Sequence, residues 1–129
     1  MKKQIIFIDF DGTIVEDNGT YPNFGDFLPY AKETLLQLQD LHYLILYSLR
    51  DDIKSFRSNK LVMAMDFLKE HGIVKIETPM IMNIAGHKYP YDMLIDDRAT
   101  LDGKIDWLKI AEHFGIILQE KKEKENERF

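Results

Sequence analysis

Residues 5–13 of this chain have the sequence IIFIDFDGT. The apolar run Ile5–Ile8 predicts a strand buried on both faces, as at the centre of a parallel sheet. Asp9, Asp11 and a glycine turn follow at its carboxyl end, where open α/β sheets bind their ligands. Two like charges ~4 Å apart repel by roughly 4 kcal/mol at an effective dielectric of 20. We therefore expect a cation here, and Mg²⁺ fits because it prefers carboxylate and carbonyl oxygens. An ordinary Asp-Gly turn is the alternative.

The composition predicts one globular domain. The chain has 129 residues, of which 45% are hydrophobic and 30% charged, and no apolar stretch approaches the ~20 residues of a membrane span. The short strand that follows Met1 predicts no secretion signal. The lack of cysteine excludes disulfides and thiolate metal sites and is typical of a cytoplasmic protein. A net charge of −5 argues against general nucleic-acid binding, which depends on Lys and Arg at the phosphates.

Strand and helix patterns alternate along the rest of the chain. Apolar runs predict strands at Leu44–Tyr47, Ile73–Ile76 and Tyr91–Ile95, while Met80–Met82 fits either a short strand or a packed loop. Helical spacing predicts three helices, at Ala31–Asp40, Asn59–Glu70 and Ile105–Phe114. We expect the first to bury Ala31, Leu35, Leu38 and Leu41, the second Leu61, Met65 and Leu68, and the third Trp107, Ile110, Ala111 and Phe114.

This alternation predicts an α/β fold with a mostly parallel central sheet and helices on both faces. Residues 1–118 make up the domain. Residues 119–129 are mainly Lys, Glu and Asn, with little to bury, so we expect a frayed helix or a disordered tail.

Polar side chains follow the predicted strands at the edge where parallel strands end together. They combine acids, a hydroxyl and two cations, which is typical of a phosphate site with a metal ion. One carboxylate can attack phosphorus while a second handles the leaving group's proton. Lys88 supplies a point charge, Ser48 a hydroxyl donor, and Arg50 a fork for phosphate oxygens. The complete set is Asp9, Asp11, Ser48, Arg50, Lys88, Asp96 and Asp97.

These motifs resemble those of the haloacid dehalogenase (HAD) superfamily of phosphohydrolases. The resemblance spans residues 5–107 and is closest to small bacterial members without a cap domain, of the capsule-biosynthesis phosphatase type. It rests on DFDGT at 9–13, the apolar strand into Ser48, Lys88 and the pair Asp96-Asp97. The subgroup also shares Tyr21-Pro22, Ser48-Leu49-Arg50 and Ile95–Arg98.

The resemblance implies a HAD-like Rossmannoid fold and a Mg²⁺-dependent phosphatase that acts through an aspartyl-phosphate. Asp9 would be the nucleophile, and Asp11 the general acid and then the base, with its carbonyl on Mg²⁺. Asp96 would bind the metal, and Asp97 would support it directly or through water. The remaining roles implied are phosphate binding for Ser48, Lys88 and Arg50, and bracing of the turn for Thr13.

Residues 16–29 predict a loop rich in breakers, which is too short to be a cap domain. Its aromatic residues Tyr21, Phe24 and Phe27 predict either a flap over the site or a satellite of the core packed on the first helix. Among the relatives, such geometry accompanies an open site, a bulky substrate or a cap supplied by a neighbouring subunit. The substrate could therefore be a phosphorylated small molecule or a bulkier phosphorylated molecule, and the protein could be a homo-oligomer. No membrane partner is expected.

A signalling receiver domain is a competing interpretation, because it also has a parallel sheet, a phosphorylatable Asp, a hydroxyl and a Lys. Its phospho-Asp follows a middle strand and its Lys follows the last one. Here the middle strand is followed by Glu77-Thr78-Pro79, and the aspartate pair follows the lysine. A phosphate-binding or regulatory member of the HAD-like fold with weak catalysis is the other alternative.

Overall fold

A parallel sheet forms the centre of the structure. The computed structural model describes residues 2–20, 23–48, 60–78 and 91–118. In these ranges the strands are β1 (Ile5–Ile8), β2 (Tyr43–Leu46), β3 (Ile76–Glu77) and β4 (Met93–Ile95). Their order across the sheet is β3-β2-β1-β4, and each pairing is parallel. The predicted α/β fold with a mostly parallel sheet is confirmed.

The register of the strands brings their carboxyl ends to one level. Ile8 of β1 is the partner of Leu46 in β2 and of Ile95 in β4. The ladder continues one residue further, because the Asp9 N–H donates to the Ile95 carbonyl and the Tyr47 N–H to the Ile8 carbonyl, both at 2.9 Å. Residues that follow the three strands therefore lie side by side.

The three predicted helices are present in the described residues. They are α1 (Ala31–Leu41), α2 (Lys60–Glu70) and α3 (Trp107–His113), and a short 3₁₀ helix covers Asp97–Ala99. The predicted start of α2 at Asn59 lies outside the described residues. α3 begins two residues later than predicted because Asp106 is its N-cap: the carboxylate accepts from the N–H groups of Leu108 and Lys109 at 3.1 and 3.3 Å.

β3 begins later than predicted. Ile73 is buried, but its N–H donates to Leu68 in the last turn of α2. The N–H groups of Val74 and Lys75 donate to the side-chain carbonyl of Gln39 at 2.9 and 3.1 Å. These donors are engaged by α1 and α2, so the ladder to β2 starts only at Ile76.

The prediction that Leu41 is buried is wrong. Leu41 is 44% exposed, whereas the next residue, His42, is buried. The α1 helix ends at Leu41, and the His42 ring turns inward, where Nδ1 accepts from the Gln4 N–H at 2.9 Å.

One face of the sheet carries the main core. Its strand residues Ile6, Ile8, Leu44 and Leu46 belong to one buried cluster with apolar residues of all three helices, among them Leu35, Leu68 and Trp107. Ile110, Phe114, Leu61 and Met65 pack against this cluster and are only partly buried. Phe7 points to the opposite face, where its ring contacts those of Tyr47 and Tyr91. The described helices thus cover one of the two predicted faces.

The described residues of 16–29 form no strand or helix, as expected for a loop, but backbone hydrogen bonds fold part of them into an antiparallel pairing. Glu16 bonds to Asp26 and Gly25 through the backbone, and Val15 forms a bridge with Phe27. Phe24 packs edge-to-face on Phe10 of the site turn, and both Phe24 and Phe27 contact Phe67 of α2. These two aromatics are thus a satellite of the core, and their rings pack on Phe67 of α2. Tyr21 lies outside the described residues.

The predictions for Met80–Met82 and for residues 119–129 also fall outside the described residues. Within the described ranges, no helix is long and apolar enough to cross a membrane.

Removal of the Phe24 ring should destabilise the fold. Phe24→Ala loses two edge-to-face contacts and a partly buried ring, so we expect the free energy of unfolding to fall by about 2 kcal/mol. Urea unfolding measures it, with exposed Asn23→Ala as the control. A change as small as the control's would show that Phe24 is not part of the core.

Candidate functional site

A cavity of about 310 Å³ opens at the carboxyl edge of the sheet. The residues that line it come from the turn after β1, the start of the 16–29 segment, the end of β2 and the 3₁₀ helix after β4. They are Asp9, Asp11, Asp17, Tyr47, Asp96, Asp97 and Arg98. The structure therefore brings four of the predicted site residues, all of them aspartates, into one cavity.

Three of these aspartates form a cluster that could hold a metal ion. Asp9, Asp96 and Asp97 each offer one carboxylate oxygen, and these oxygens lie within 4.8 Å of one another. Oxygens around Mg²⁺ in an octahedral shell at 2.0–2.1 Å lie roughly 3 to 4 Å apart. The carboxylates need little movement to reach that spacing, so the cluster fits a divalent ion in donor type and in distance.

The turn after β1 aims both Asp9 and Asp11 at the cavity. The Phe10 carbonyl accepts from the N–H groups of Thr13 and Ile14 at 3.2 and 2.9 Å, which reverses the chain directly after the strand. Gly12 has φ +77° at the tightest point, where residues with a Cβ are strained. A Cβ on Gly12 would also lie 2.6 Å from Asp97 Oδ2. Glycine thus gives Asp97 the room to join the cluster.

The Thr13 side chain connects the β1 turn to the β4 end. Its buried hydroxyl accepts from the Asp97 N–H at 3.1 Å and lies 3.3 Å from Asp9 Oδ2 and 3.5 Å from Asp97 Oδ1. A hydroxyl has one proton to donate, so it can serve either carboxylate. The expectation that Thr13 braces the turn agrees with this geometry.

The segment after β4 holds Asp97 at the cavity. Asp96 is the N-cap of the 3₁₀ helix, and its carboxylate accepts from the Arg98 N–H at 3.0 Å. The Thr100 hydroxyl donates to the Asp97 carbonyl at 2.9 Å. With its N–H and carbonyl both engaged, Asp97 presents its carboxylate toward Thr13 and the cluster.

Crowding of the acids changes their proton affinity. Burial, reinforced by the charge of Asp96, raises the pKa of Asp9 from 3.8 to about 7. Burial also raises the pKa of Asp97, followed by a hydrogen bond with Asp96 and the charge of that residue. The folded chain therefore carries negative charge that a bound cation would stabilise.

Of the three predicted phosphate-binding residues, the structure describes only Ser48. Ser48 is half-buried and follows Tyr47 at the same sheet edge, but it does not line the cavity. Arg50 and Lys88 lie outside the described residues.

Three cavity residues were not assigned a role from the sequence: Asp17, Tyr47 and Arg98. Tyr47 directly follows β2, as Asp9 follows β1, so the same strand-end logic could have found it. Asp17 begins an Asx turn in which its carboxylate accepts from the Gly19 N–H at 3.0 Å. The 16–29 segment therefore reaches the cavity with an acid, while Phe24 and Phe27 pack in the core.

A solved structure of a conserved protein from Bacteroides thetaiotaomicron is similar to this chain. The two are 34% identical, the match covers 88% of this chain and 91% of the other, and the TM-score is 0.68. This chain belongs to the same family as that Bacteroides protein. No protein-family model matches the chain, and no curated protein does. Fold and family are thus shared with a known structure, and the function must be argued from the site.

Metal-free protein should lose stability as the pH rises from about 4 to about 7. The folded state holds a proton on Asp9 up to about pH 7, whereas the unfolded state releases it near 3.8, so raising the pH favours unfolding in this window. Asp9→Asn removes the Asp9 contribution, leaves that of Asp97, whose pKa is also raised, and should stabilise the metal-free protein at pH 7.5 by as much as about 4 kcal/mol. Chemical unfolding at pH 4.0 and 7.5 measures both.

The matched control for the loss of one negative charge is Asp66→Asn, on the exposed surface of α2. It should leave the pH dependence as in the wild type. Equal pH dependence in the wild type and Asp9→Asn would contradict a buried, charge-crowded Asp9.

Gly12→Ala should damage the cluster more than its backbone strain explains. Gly19 has the same φ of +77°, but a Cβ there meets nothing within 4 Å. Gly19→Ala therefore reports the strain, roughly 1–2 kcal/mol, and Gly12→Ala adds displacement of Asp97. We expect Mg²⁺ affinity by calorimetry to fall at least tenfold in Gly12→Ala and to stay unchanged in Gly19→Ala. Equal affinities would mean that Asp97 does not bind the metal.

Proposed function

We propose that this chain is a Mg²⁺-dependent phosphomonoester hydrolase of the HAD type, without a cap domain, and that it acts through an aspartyl-phosphate on Asp9. The observation that carries the proposal is the convergence of Asp9 and Asp11 after β1 with Asp96 and Asp97 after β4 in one cavity. A cytoplasmic location, expected from the lack of cysteine, is part of the proposal.

Asp9, Asp96 and Asp97 are the residues that would hold Mg²⁺, with the Asp11 carbonyl as a further oxygen ligand. The ion, when bound, neutralises the carboxylates and the phosphate and polarises the phosphoryl group. The raised pKa of Asp9 supports this assignment, since it marks negative charge that the described protein groups do not fully compensate. A carboxylate that is half protonated at pH 7 is a poor nucleophile, so a neighbouring cation is needed for the proposed role.

Asp9 is the proposed nucleophile because it directly follows β1 and its side chain lines the cavity. Its carboxylate oxygen forms a bond to phosphorus while the bond from phosphorus to the ester oxygen breaks. The leaving alkoxide takes a proton from the Asp11 carboxyl group. A water molecule then attacks phosphorus, Asp11 takes its proton back from that water, and the bond between phosphorus and Asp9 breaks. Inorganic phosphate and free Asp9 are the result.

The phosphoryl oxygens need donors, and the proposal assigns them to Ser48, Lys88 and Arg50. The site in the described residues is acidic, so a phosphate dianion depends on such cations for binding. Tyr47 and Asp17 line the same cavity and are in a position to contact the leaving group. The volume of about 310 Å³ is at the lower end for small-molecule pockets, which suits a phosphoryl group with part of its substrate.

The two acids of the first motif should differ in their kinetics. On p-nitrophenyl phosphate, turnover should require Mg²⁺, and Asp9→Asn should abolish it because no covalent step remains. Asp11→Asn should lose about 10²–10⁴-fold on an alkyl phosphate, which needs a general acid. The loss on p-nitrophenyl phosphate should be smaller, because that leaving group departs without protonation.

Steady-state rates with and without a chelator measure all three effects, and Asp66→Asn is again the charge control. Turnover that survives complete chelation would overturn the metal requirement. Equal rescue of both variants by the good leaving group would overturn the division of roles.

A further inference from the structure

Trp107 links α3 to the turn that carries Asp9. Its indole Nε1–H donates to the Thr13 carbonyl at 2.7 Å, across 94 positions of sequence, and the side chain is 1% exposed. A buried indole N–H requires an acceptor. Here the acceptor belongs to the backbone of the site.

The bonded carbonyl belongs to the residue whose hydroxyl sits among the carboxylates. Thr13 Oγ1 lies 3.3 Å from Asp9 Oδ2 and 3.5 Å from Asp97 Oδ1, and it accepts from the Asp97 N–H. Any shift of the Thr13 main chain therefore moves the group that spaces two acids of the cluster.

Trp107 is well placed to prevent such a shift. It is the first residue of α3, directly after the N-cap Asp106, whose carboxylate bonds two N–H groups of the first turn. α3 packs against α1, and Ala111, one turn after Trp107, is buried in the same core cluster. The indole is thus fixed at its own end by a capped and packed helix.

We infer that Trp107 is a positioning residue for the proposed reaction, which holds the Thr13 main chain and, through the Thr13 hydroxyl, the spacing of Asp9 and Asp97. This inference rests on the proposed function. If Trp107 were only a core residue, its ring would fill volume in the core. Its N–H would then need an acceptor, but the position of that acceptor would not matter for the site.

The experiment replaces only the indole N–H group of Trp107. Trp107 is the single tryptophan of the chain, so biosynthetic incorporation of a tryptophan analogue alters this position and no other. β-(3-Benzothienyl)alanine replaces the N–H by sulfur in a ring of nearly the same shape, whereas 5-fluorotryptophan keeps the N–H and is the matched control.

We expect the benzothienyl protein to bind Mg²⁺ about 10-fold more weakly by calorimetry and to lose about 10- to 100-fold in kcat. KM should change less than threefold, because the phosphate donors are untouched. The 5-fluorotryptophan protein should stay within twofold of the wild type in each quantity.

Ala111→Gly separates positioning from general loosening of α3. It weakens the same helix but keeps the Trp107 indole N–H that bonds Thr13, so it should lower Tm but leave kcat and Mg²⁺ affinity within twofold. The inference is overturned if the benzothienyl and 5-fluorotryptophan proteins bind Mg²⁺ equally, or if Ala111→Gly weakens binding as much. Should the benzothienyl protein not fold, Trp107→Phe at reduced temperature is compared with Leu35→Ala, which also opens space in the buried core but keeps the Trp107–Thr13 bond; equal loss of Mg²⁺ affinity in the two variants would overturn the inference.

The Mg²⁺ titration needs no substrate, which keeps the two proposals apart. A wild type that binds Mg²⁺ but hydrolyses no phosphomonoester ends the proposed function, while the affinity difference still decides the role of Trp107. A wild type that does not bind Mg²⁺ overturns both.

Discussion

The pairing of β1 with β4 forces acids together at the edge of the sheet. Ile8 and Ile95 are partners in the ladder, and Asp9 donates its N–H to Ile95, so Asp9 cannot move away from Asp96 without the loss of strand pairing. Most of β1 and the Ile95 side chain of β4 are buried in a close-packed core that strongly resists displacement. Burial, together with repulsion from Asp96, instead raises the pKa of Asp9 to about 7. The remaining features of the site follow from this constraint.

Several uncharged groups fix the positions of the closely spaced carboxylates. Gly12 leaves the space that Asp97 occupies, the Thr13 hydroxyl lies between two carboxylates, and Trp107 binds the Thr13 carbonyl. These contacts fix the spacing of the acids but add no positive charge. On the proposed function, a divalent ion bound at this cluster would stabilise the folded state by mass action. The proposal therefore couples the stability of the domain to its activity at one place.

Local patterns in the sequence were enough to predict most of the fold and the acidic half of the site. The apolar run Ile5–Ile8 predicts the central strand, and the carboxylates that follow it predict the acidic site, since parallel strands end at a common edge of the sheet. The errors arise where distant side chains intervene. Gln39 occupies the N–H groups that would have lengthened β3. For Phe24 the sequence left a flap and a core position open, and its contact with Phe67 decides for the core. The periodicity of apolar residues along the sequence does not reveal contacts between distant side chains. The cap at Asp106, by contrast, was a readable signal for the start of α3.

The central claim, that Asp9 accepts a phosphoryl group, is tested most directly by isolation of the covalent intermediate. The wild type is mixed with a ³²P-labelled phosphomonoester and Mg²⁺, quenched in acid within milliseconds, and digested for peptide mapping by mass spectrometry. We expect one labelled peptide that contains residues 5–13, with the phosphate on Asp9 and no label in the presence of a chelator. Rapid Mg²⁺-dependent hydrolysis without any label, or a label on another residue, would contradict the account.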